Sequence, residues 1–334
     1  MQGLIIKSIS GEYTIINNES NIYITKPRGL FRYTEEVPKV GDRVDFNPKT
    51  RIISNIHPRR NELNRPVIAN IDKAFLIFSV KEPELNLNLL DRIIAVVEYL
   101  DIEIIIVFTK IDLLTEHKTF NEINDYYQSI GYKTYVSGYD NVPFLELENE
   151  INNNISVLAG QSGAGKSTLL NFLDPKFQLK TNVISHALGR GRHTTRHVEL
   201  LPIKKGWIAD TPGFGNVDFE FVDLLSLSHC FKELFTHSNK CKFNRCLHID
   251  EPGCVIKEMV ESKNILESRY QNYCLFHEEL KELLYSHVEN KILFLYKQWL
   301  HEKAKELQKT EYMKKVFEIC DFEDSLNKKL DNFF

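Results

Sequence analysis

Five segments of this chain hold residues whose types and spacing could do chemistry. Gly160-Gln161-Ser162-Gly163-Ala164-Gly165-Lys166-Ser167 follows the pattern G-x-x-x-x-G-K-[ST]. Glycines at that spacing let backbone N–H groups close around phosphate oxygens, and a following helix adds its positive end. In that setting Lys166 reaches the β- and γ-phosphates, Ser167 places its hydroxyl on Mg²⁺, and Thr168 completes the phosphate-binding set. Asp210-Thr211-Pro212-Gly213 follows the apolar stretch Trp207-Ile208-Ala209. Asp210 at a strand end fits a carboxylate that holds Mg²⁺ through water, and Gly213 offers an N–H to the γ-phosphate. Thr109-Lys110-Ile111-Asp112 follows a β-branched run. A carboxylate at Asp112 can accept from both N1–H and the 2-amino group of guanine, a donor pair that adenine lacks. The Lys110 stem can cover the base, and Ser137-Gly138 can meet guanine O6 through the backbone. Thr109 stands where many guanine readers carry Asn; Thr cannot supply that amide's contacts, so a modestly altered nucleotide affinity is expected.

The fourth segment, Gly189-Arg190-Gly191-Arg192-His193-Thr194-Thr195, reads as a switch. The residue after Gly213 is Phe214, which cannot orient a water molecule, so slow intrinsic turnover is expected. His193 is the candidate for that task, with a purely structural or RNA-contacting loop histidine as the competing reading. The fifth segment is Cys241-x4-Cys246-x-His248-x5-Cys254. Three thiolates and one imidazole are a common closed tetrahedral zinc set, so one zinc per chain is expected. Cys230, Cys274 and Cys320 fall outside this pattern and are read as ordinary buried thiols.

The order of the segments is as informative as their content. An ordinary GTPase runs phosphate loop, switches, guanine reader. Here the guanine reader comes first, so the G domain is read as circularly permuted.

The elements that must position these residues can be drawn in outline. Residues 1–60 read as short strands (Tyr13–Ile16, Asn21–Ile24, Arg43–Phe46, Arg51–Ile53) divided by turn signals. They suit a five-stranded oligonucleotide-binding barrel, and periodicity does not select it over an SH3-like barrel. Arg59–Pro66 reads as a polar connector. From residue 67, strands at Ala74–Val80, Ile102–Phe108, Thr134–Val136 and Ile155–Ala159 alternate with helices at Leu89–Leu100, Phe120–Ile130 and Thr168–Leu173, which predicts an α/β parallel sheet. Leu284, Val288, Ile292, Leu295 and Trp299 recur at helical spacing and predict a C-terminal amphipathic helix. Lys303, Lys305, Lys309, Lys314 and Lys315 follow it among acidic residues, so a packed, solvated helix is expected rather than an RNA contact.

Composition sets limits. Of 334 residues, 43% are hydrophobic and 26% charged, as in ordinary globular domains. No apolar run approaches the roughly 20 residues that span a bilayer, and Met1-Gln2-Gly3-Leu4 does not begin a secretory signal, so a cytoplasmic protein without a membrane partner is expected. Residues 1–65 hold 11 Lys/Arg against 7 Asp/Glu in a chain of net charge −4. A basic arm on an acidic protein can bind nucleic acid locally.

With these segments in hand, residues 1 to about 283 resemble the ribosome small-subunit-dependent GTPase A family (RsgA, also called YjeQ). The resemblance rests on the permuted order, on Asn61–Pro66 with Ala69-Asn70-Ile71-Asp72, and on Gly160–Ser167, Gly189–Thr195, Asp210–Phe214 and the Cys241–Cys254 pattern. It implies an oligonucleotide-binding barrel at 1–65, a permuted P-loop G domain at 66–220 and a mostly helical zinc domain at 221–283; the chain departs from the family pattern by continuing as a helical extension at 284–334. It further implies late maturation of the small (30S) ribosomal subunit and its rRNA, with Mg²⁺-dependent hydrolysis of GTP to GDP stimulated by that subunit. On this analogy Thr194 or Thr195 completes the Mg²⁺ and γ-phosphate contacts. Two alternatives remain at this stage: a GTPase acting on another RNA or protein, and a non-catalytic nucleotide-dependent binding module. A monomer is expected.

Overall fold

A computed structural model describes residues 1–32, 37–64, 66–138, 143–174, 198–210, 219 and 223–307. The chain divides into one unit at 1–277 and a second at 278–334.

Five strands open the first unit: β1 (Gln2–Ile9), β2 (Glu12–Ile16), β3 (Ile22–Pro27), β4 (Arg43–Asn47) and β5 (Ile52–Ile56). Their alternation sends Ile5, Ile15, Val44, Phe46 and Ile53 into a shared interior where each is buried. The strands pair in the order β1-β2-β3-β5-β4, and β4 returns to β1, closing a barrel with one parallel pair, β3 with β5. That connectivity is the Greek-key order of the oligonucleotide-binding barrel and decides between the two barrels left open by periodicity. Strand β1 was not anticipated from the sequence, although Leu4-Ile5-Ile6 lies within it.

Arg59–Pro66 is more than a connector. It contains β6 (Glu62–Asn64), which pairs with β7 (Val67–Ala69). Arg59 donates to both oxygens of the buried Asp42 at 2.8 Å and to Glu62 at 2.7 Å, which fastens the segment to the barrel. Asn61 exchanges side-chain hydrogen bonds with the backbone of Ile71, and the Asn70 amide accepts from Arg60 N–H and donates to the Gly41 carbonyl. Polar side chains that look like linker residues here satisfy one another's buried backbone groups.

The second sheet region contains β8 (Lys73–Ser79), β9 (Glu103–Thr109), β10 (Lys133–Val136), β11 (Ile155–Ala159), β12 (Glu199–Ile203) and β13 (Gly206–Asp210). Its order is β10-β9-β8-β11-β13-β12, parallel except for β12 against β13. β12 also pairs with β1 and so joins barrel to sheet. Helices α1 (Leu87–Tyr99), α2 (Lys118–Ser129), α3 (Pro143–Ile151) and α4 (Lys166–Leu173) connect these strands. Ile104 to Phe108 are all buried, as a strand covered on both faces requires. After β8 the chain builds towards β9 and β10, and after β11 towards β13 and β12. The carboxyl ends of β8 and β11 therefore border a topological switch point, where open α/β sheets bind ligands.

Helices α5 (Leu224–His229), α6 (Lys232–Ser238) and α7 (Val255–Glu261) follow, and α8 runs over Glu267–Leu307. The expected C-terminal helix is thus present as the continuation of α8. Its stripe is not packed as expected: Ile292, Leu295 and Trp299 are more than half exposed.

Candidate nucleotide site and metal centre

The phosphate loop leaves β11 at Gly160, whose φ is +124°. A Cβ there would stand 2.0 Å from the Ile77 carbonyl oxygen of β8, so only glycine lets the two strands approach this closely. The loop returns into α4, which begins at Lys166 rather than at Thr168. The Lys166 ammonium donates to the carbonyls of Gly160 at 2.7 Å and Gln161 at 2.5 Å. Its burial pushes the pKa down to about 8. Ser167 is buried in the first helical turn, Ser162 and Gly163 are exposed at the loop tip, and Thr168 is exposed beside them.

The predicted guanine-reading segment meets this loop directly. Thr109 ends β9, and its hydroxyl donates to the Ala164 carbonyl at 2.6 Å. Gly165 lies close enough that a Cβ there would touch the Thr109 side chain at 3.8 Å. Thr109 therefore ties the predicted base reader to the predicted phosphate loop, through a hydroxyl in place of an amide. Lys110 adopts a left-handed backbone and donates its ammonium to the Glu82 carbonyl. Asp112 sits in the short 3₁₀ turn Ile111–Leu113 with its side chain exposed. Gly138 faces it: a Cβ at Gly138 would lie 3.2 Å from Asp112 Oδ1. Ser137 is buried and held by hydrogen bonds from its N–H to Phe108 O at 2.8 Å and from Ile111 N–H to its own carbonyl at 3.2 Å. The three segments 109–112, 137–138 and 160–168 are thus brought to one end of the sheet.

One segment in contact with these was missed. The segment Lys81–Asn86, between β8 and α1, accepts at Glu82 O from Lys110 and at Glu84 O from Gln161 Nε2 at 3.0 Å. Pro83 Cδ stands 3.7 Å from where a Gly163 side chain would begin. Its backbone carbonyls bridge base reader and phosphate loop. Backbone acceptors leave no signature in side-chain type, so the segment reads as a surface turn in the sequence.

Asp210 closes β13, the strand beside β11, as expected for a group approaching the phosphate loop. Its side chain, and His193, Thr194, Thr195, Gly213 and Phe214, lie outside the described residues.

The four predicted metal ligands do converge. The ligand atoms of Cys241, Cys246, His248 and Cys254 all lie within 4.8 Å of one another. Cys241 Sγ is 4.0 Å from Cys254 Sγ, and His248 Nδ1 is 3.6 and 3.4 Å from those sulfurs. Zinc bond lengths of about 2.3 Å to sulfur and about 2.0 Å to nitrogen place tetrahedral ligands about 3.8 Å apart for two sulfurs and about 3.5 Å for a mixed pair. The cluster matches these spacings, so the donor set fits zinc. Its loop is fixed from outside. The Glu251 carboxylate accepts from the N–H groups of Leu247 at 2.6 Å and Ile249 at 3.0 Å, on either side of His248. Burial would raise the Glu251 pKa, and these N–H donors outweigh it and hold it low. Tyr270 donates to the His248 carbonyl at 2.6 Å, and Tyr273 to that of Leu247. Burial, with the adjacent Cys254, pushes the Cys246 thiol up to about 12. Of the remaining thiols, Cys230 is buried as expected, Cys274 is only half-buried, and Cys320 lies outside the described residues.

Arg269 of α8 is 1% exposed and bonds Asp91 of α1 at 2.5 Å and Glu233 of α6 at 2.6 Å. Tyr127 of α2 and Asn272 complete the Asp91 carboxylate at 2.5 and 2.6 Å. The guanidinium also lies over Phe231, 4.6 Å from its centroid. Through this charged cluster α6 and α8 are joined to α1 and α2.

The RsgA GTPase family profile matches residues 56–220, and the RsgA N-terminal domain matches residues 2–54. A small ribosomal subunit biogenesis GTPase RsgA of Bacillus cereus is 44% identical over 287 residues, covering 84% of this chain and 98% of the relative. The chain belongs to the RsgA GTPase family. The RsgA of Clostridium perfringens is 42% identical over 283 residues, with the same 84% of this chain and 98% of its own length covered. Among solved structures, the circularly permuted GTPase YloQ superimposes with a TM-score of 0.70 at 35% identity, covering 84% of this chain and 95% of that one. YjeQ from Thermotoga maritima gives 0.72 at 33% identity, covering 84% and 98%. As an RsgA-family member the chain is a GTP-hydrolysing enzyme with a permuted G domain, and the expected order of segments is that of the family.

Proposed function

We propose that this RsgA-family chain acts in late maturation of the small ribosomal subunit, binding its rRNA and hydrolysing GTP with stimulation by the subunit. The observation that carries the reading is the guanine reader, Thr109–Asp112, tied by hydrogen bonds to the phosphate loop of a chain whose relatives are small ribosomal subunit biogenesis GTPases. In this reading residues 1–65 form the RNA-binding barrel, 66–220 the G domain, 221–283 the zinc domain and 284–334 an extension. Asp112 and the Ser137-Gly138 backbone read guanine. Gly160 to Thr168 hold the phosphates, and Lys166 exchanges its loop carbonyls for phosphate oxygens. Ser167, Asp210 and Thr195 hold Mg²⁺, which supplies charge neutralisation at the β- and γ-phosphates. Cys241, Cys246, His248 and Cys254 hold one structural zinc. His193 orients the attacking water, with Thr194 and Gly213 at the γ-phosphate. The protein works as a cytoplasmic monomer; no described helix is long and apolar enough to cross a membrane.

The test is GTP hydrolysis with and without purified small subunits. Stimulation is expected for the wild type, together with its loss in His193→Ala at unchanged nucleotide affinity. An unstimulated wild type rejects the ribosomal assignment, and normal stimulation of His193→Ala rejects that residue's role.

A further inference from the structure

A second cleft lies at the opposite end of the sheet. It encloses about 630 Å³, within the roughly 300–1,000 Å³ of ligand-sized clefts. Its floor is formed where the parallel strands begin, by Asp72 before β8, Ile155 of β11 and Trp207 of β13. The nucleotide segments gather where the same strands end. β8 alone has seven residues, so the two sites stand roughly 20 Å apart along the strands. The opposite wall belongs to the barrel and its clasp, through Leu4, Arg43, His57 and Arg60. Nothing in the nucleotide chemistry described above uses this space.

The charges lining it are unevenly matched. Asp72 is already occupied: one oxygen accepts from Arg60 at 2.6 Å and the other from the Ile155 N–H at 2.7 Å. Arg43 on the barrel wall and Lys205 on the sheet wall are exposed, and neither has an ion-pair partner among the described residues. Their backbones are nevertheless fixed. The Arg43 carbonyl accepts from His57 N–H at 2.9 Å, and the Lys205 carbonyl from Asn153 N–H at 3.2 Å. Trp207, which lines the same cleft, is half-buried, and its backbone N–H donates to the Asn154 carbonyl at 2.9 Å. Two cations without ion-pair partners among the described residues, lining one cleft with an aromatic residue, suit a phosphodiester strand whose base stacks on the ring. An acidic peptide would use the cations and leave the indole without a stacking partner.

From this arrangement we infer that the cleft between barrel and G domain binds a single-stranded RNA segment, with Trp207 as the stacking platform and Arg43 and Lys205 as phosphate contacts. The inference rests on the ribosomal reading for the source of the RNA and names where on this chain a strand is gripped. A strand held there touches barrel and G domain at once.

The test uses the full-length chain in a Trp299→Phe background, which leaves Trp207 as the single tryptophan. A fluorescein-labelled single-stranded oligoribonucleotide of about eight residues, the length of an ordinary single-strand site, is titrated, and heparin serves as a polyanion without bases. Saturable quenching of Trp207 by RNA and not by heparin is expected. The double variant Arg43→Gln/Lys205→Gln removes two exposed cations without ion-pair partners among the described residues, so its fold and its intrinsic hydrolysis should be unchanged. RNA affinity should fall about tenfold at physiological salt, and the slope of log affinity against log salt should shrink by about 1.4, from about 0.7 for each single-strand phosphate contact. The subunit concentration giving half-maximal stimulation should rise by a similar factor. Equal quenching by heparin, or unchanged affinity and salt slope in the double variant, overturns the cleft. If the wild type binds the oligonucleotide as described and is not stimulated by small subunits, the ribosomal reading fails and the cleft stands. If stimulation is normal and its half-maximal concentration is the same in the double variant, the cleft fails and the ribosomal reading stands.

Discussion

Replacing Arg269 by Met should unfold this protein far more readily than any substitution in the catalytic loops. The guanidinium is 1% exposed, and so is the Asp91 side chain; that of Glu233 is 3% exposed. Burial opposes the charge on Arg269, and the two carboxylates restore it, holding its pKa well above the usual arginine value. Met fills much of the volume and leaves two carboxylates buried about one guanidinium apart with no cation. Breaking a buried pair from one side costs about 3–5 kcal/mol, against a total stability of about 5–15 kcal/mol. At about 2–4 °C per kcal/mol for large domains, the melting temperature should drop by roughly 10 °C. The defect should also depend on pH. Burial already raises the Asp91 pKa although Arg269 lowers it, so removing the guanidinium raises it further in the folded state. A group whose folded pKa is raised stabilises at low pH and loses that contribution as pH rises, so the deficit is largest at neutral pH and shrinks on acidification. Adding Asp91→Asn and Glu233→Gln to Arg269→Met should recover most of the loss, because the buried charges are then gone. Thermal melts by circular dichroism at neutral and mildly acidic pH measure all three effects. A deficit under about 1 kcal/mol, or one that grows on acidification, would refute the reasoning, since a surface pair of that value needs no burial to explain it.

Other outcomes follow from the two sites. Asp112→Asn should lose selectivity for GDP over xanthosine diphosphate by one to several orders of magnitude in calorimetric titration, because the carboxylate that accepts the guanine donor pair is replaced by an amide; retained selectivity would remove Asp112 from base recognition. Protein purified without added zinc should carry about one equivalent by metal analysis, and Cys246→Ser with Cys254→Ser should lose both the metal and several degrees of melting temperature; a metal-free protein of full stability would reject the centre. With the Lys166 ammonium at about 8, phosphate binding should draw its pKa upward, so nucleotide binding takes up protons as pH rises above that value. Affinity should then fall by up to about tenfold per pH unit. Titrations in buffers of different ionisation enthalpy read this uptake, and its persistence in Lys166→Met would assign the proton to another group.

The sequence by itself determined the parts that depend on local chemistry. Glycines 160, 163 and 165, with Lys166 and Ser167, specify a phosphate loop through backbone freedom and side-chain reach over eight residues. Cys241, Cys246, His248 and Cys254 are near enough in the chain for spacing alone to assemble them. The apolar run Ile104–Phe108 and the helices around it fixed a parallel sheet, because burial on both faces leaves a continuous apolar signature. Tertiary structure decided what depends on groups distant in the chain. The barrel type rests on β3 pairing with β5, and pairing partners are invisible to periodicity. The bond from Thr109 to Ala164 spans 55 residues and turns an apparent departure at Thr109 into a working contact. Lys81–Asn86 joins the nucleotide site through carbonyls that every residue type carries. Asp91 and Arg269 are 178 residues apart, and only folding removes water from both and brings them together, with Glu233 as the second carboxylate on the guanidinium.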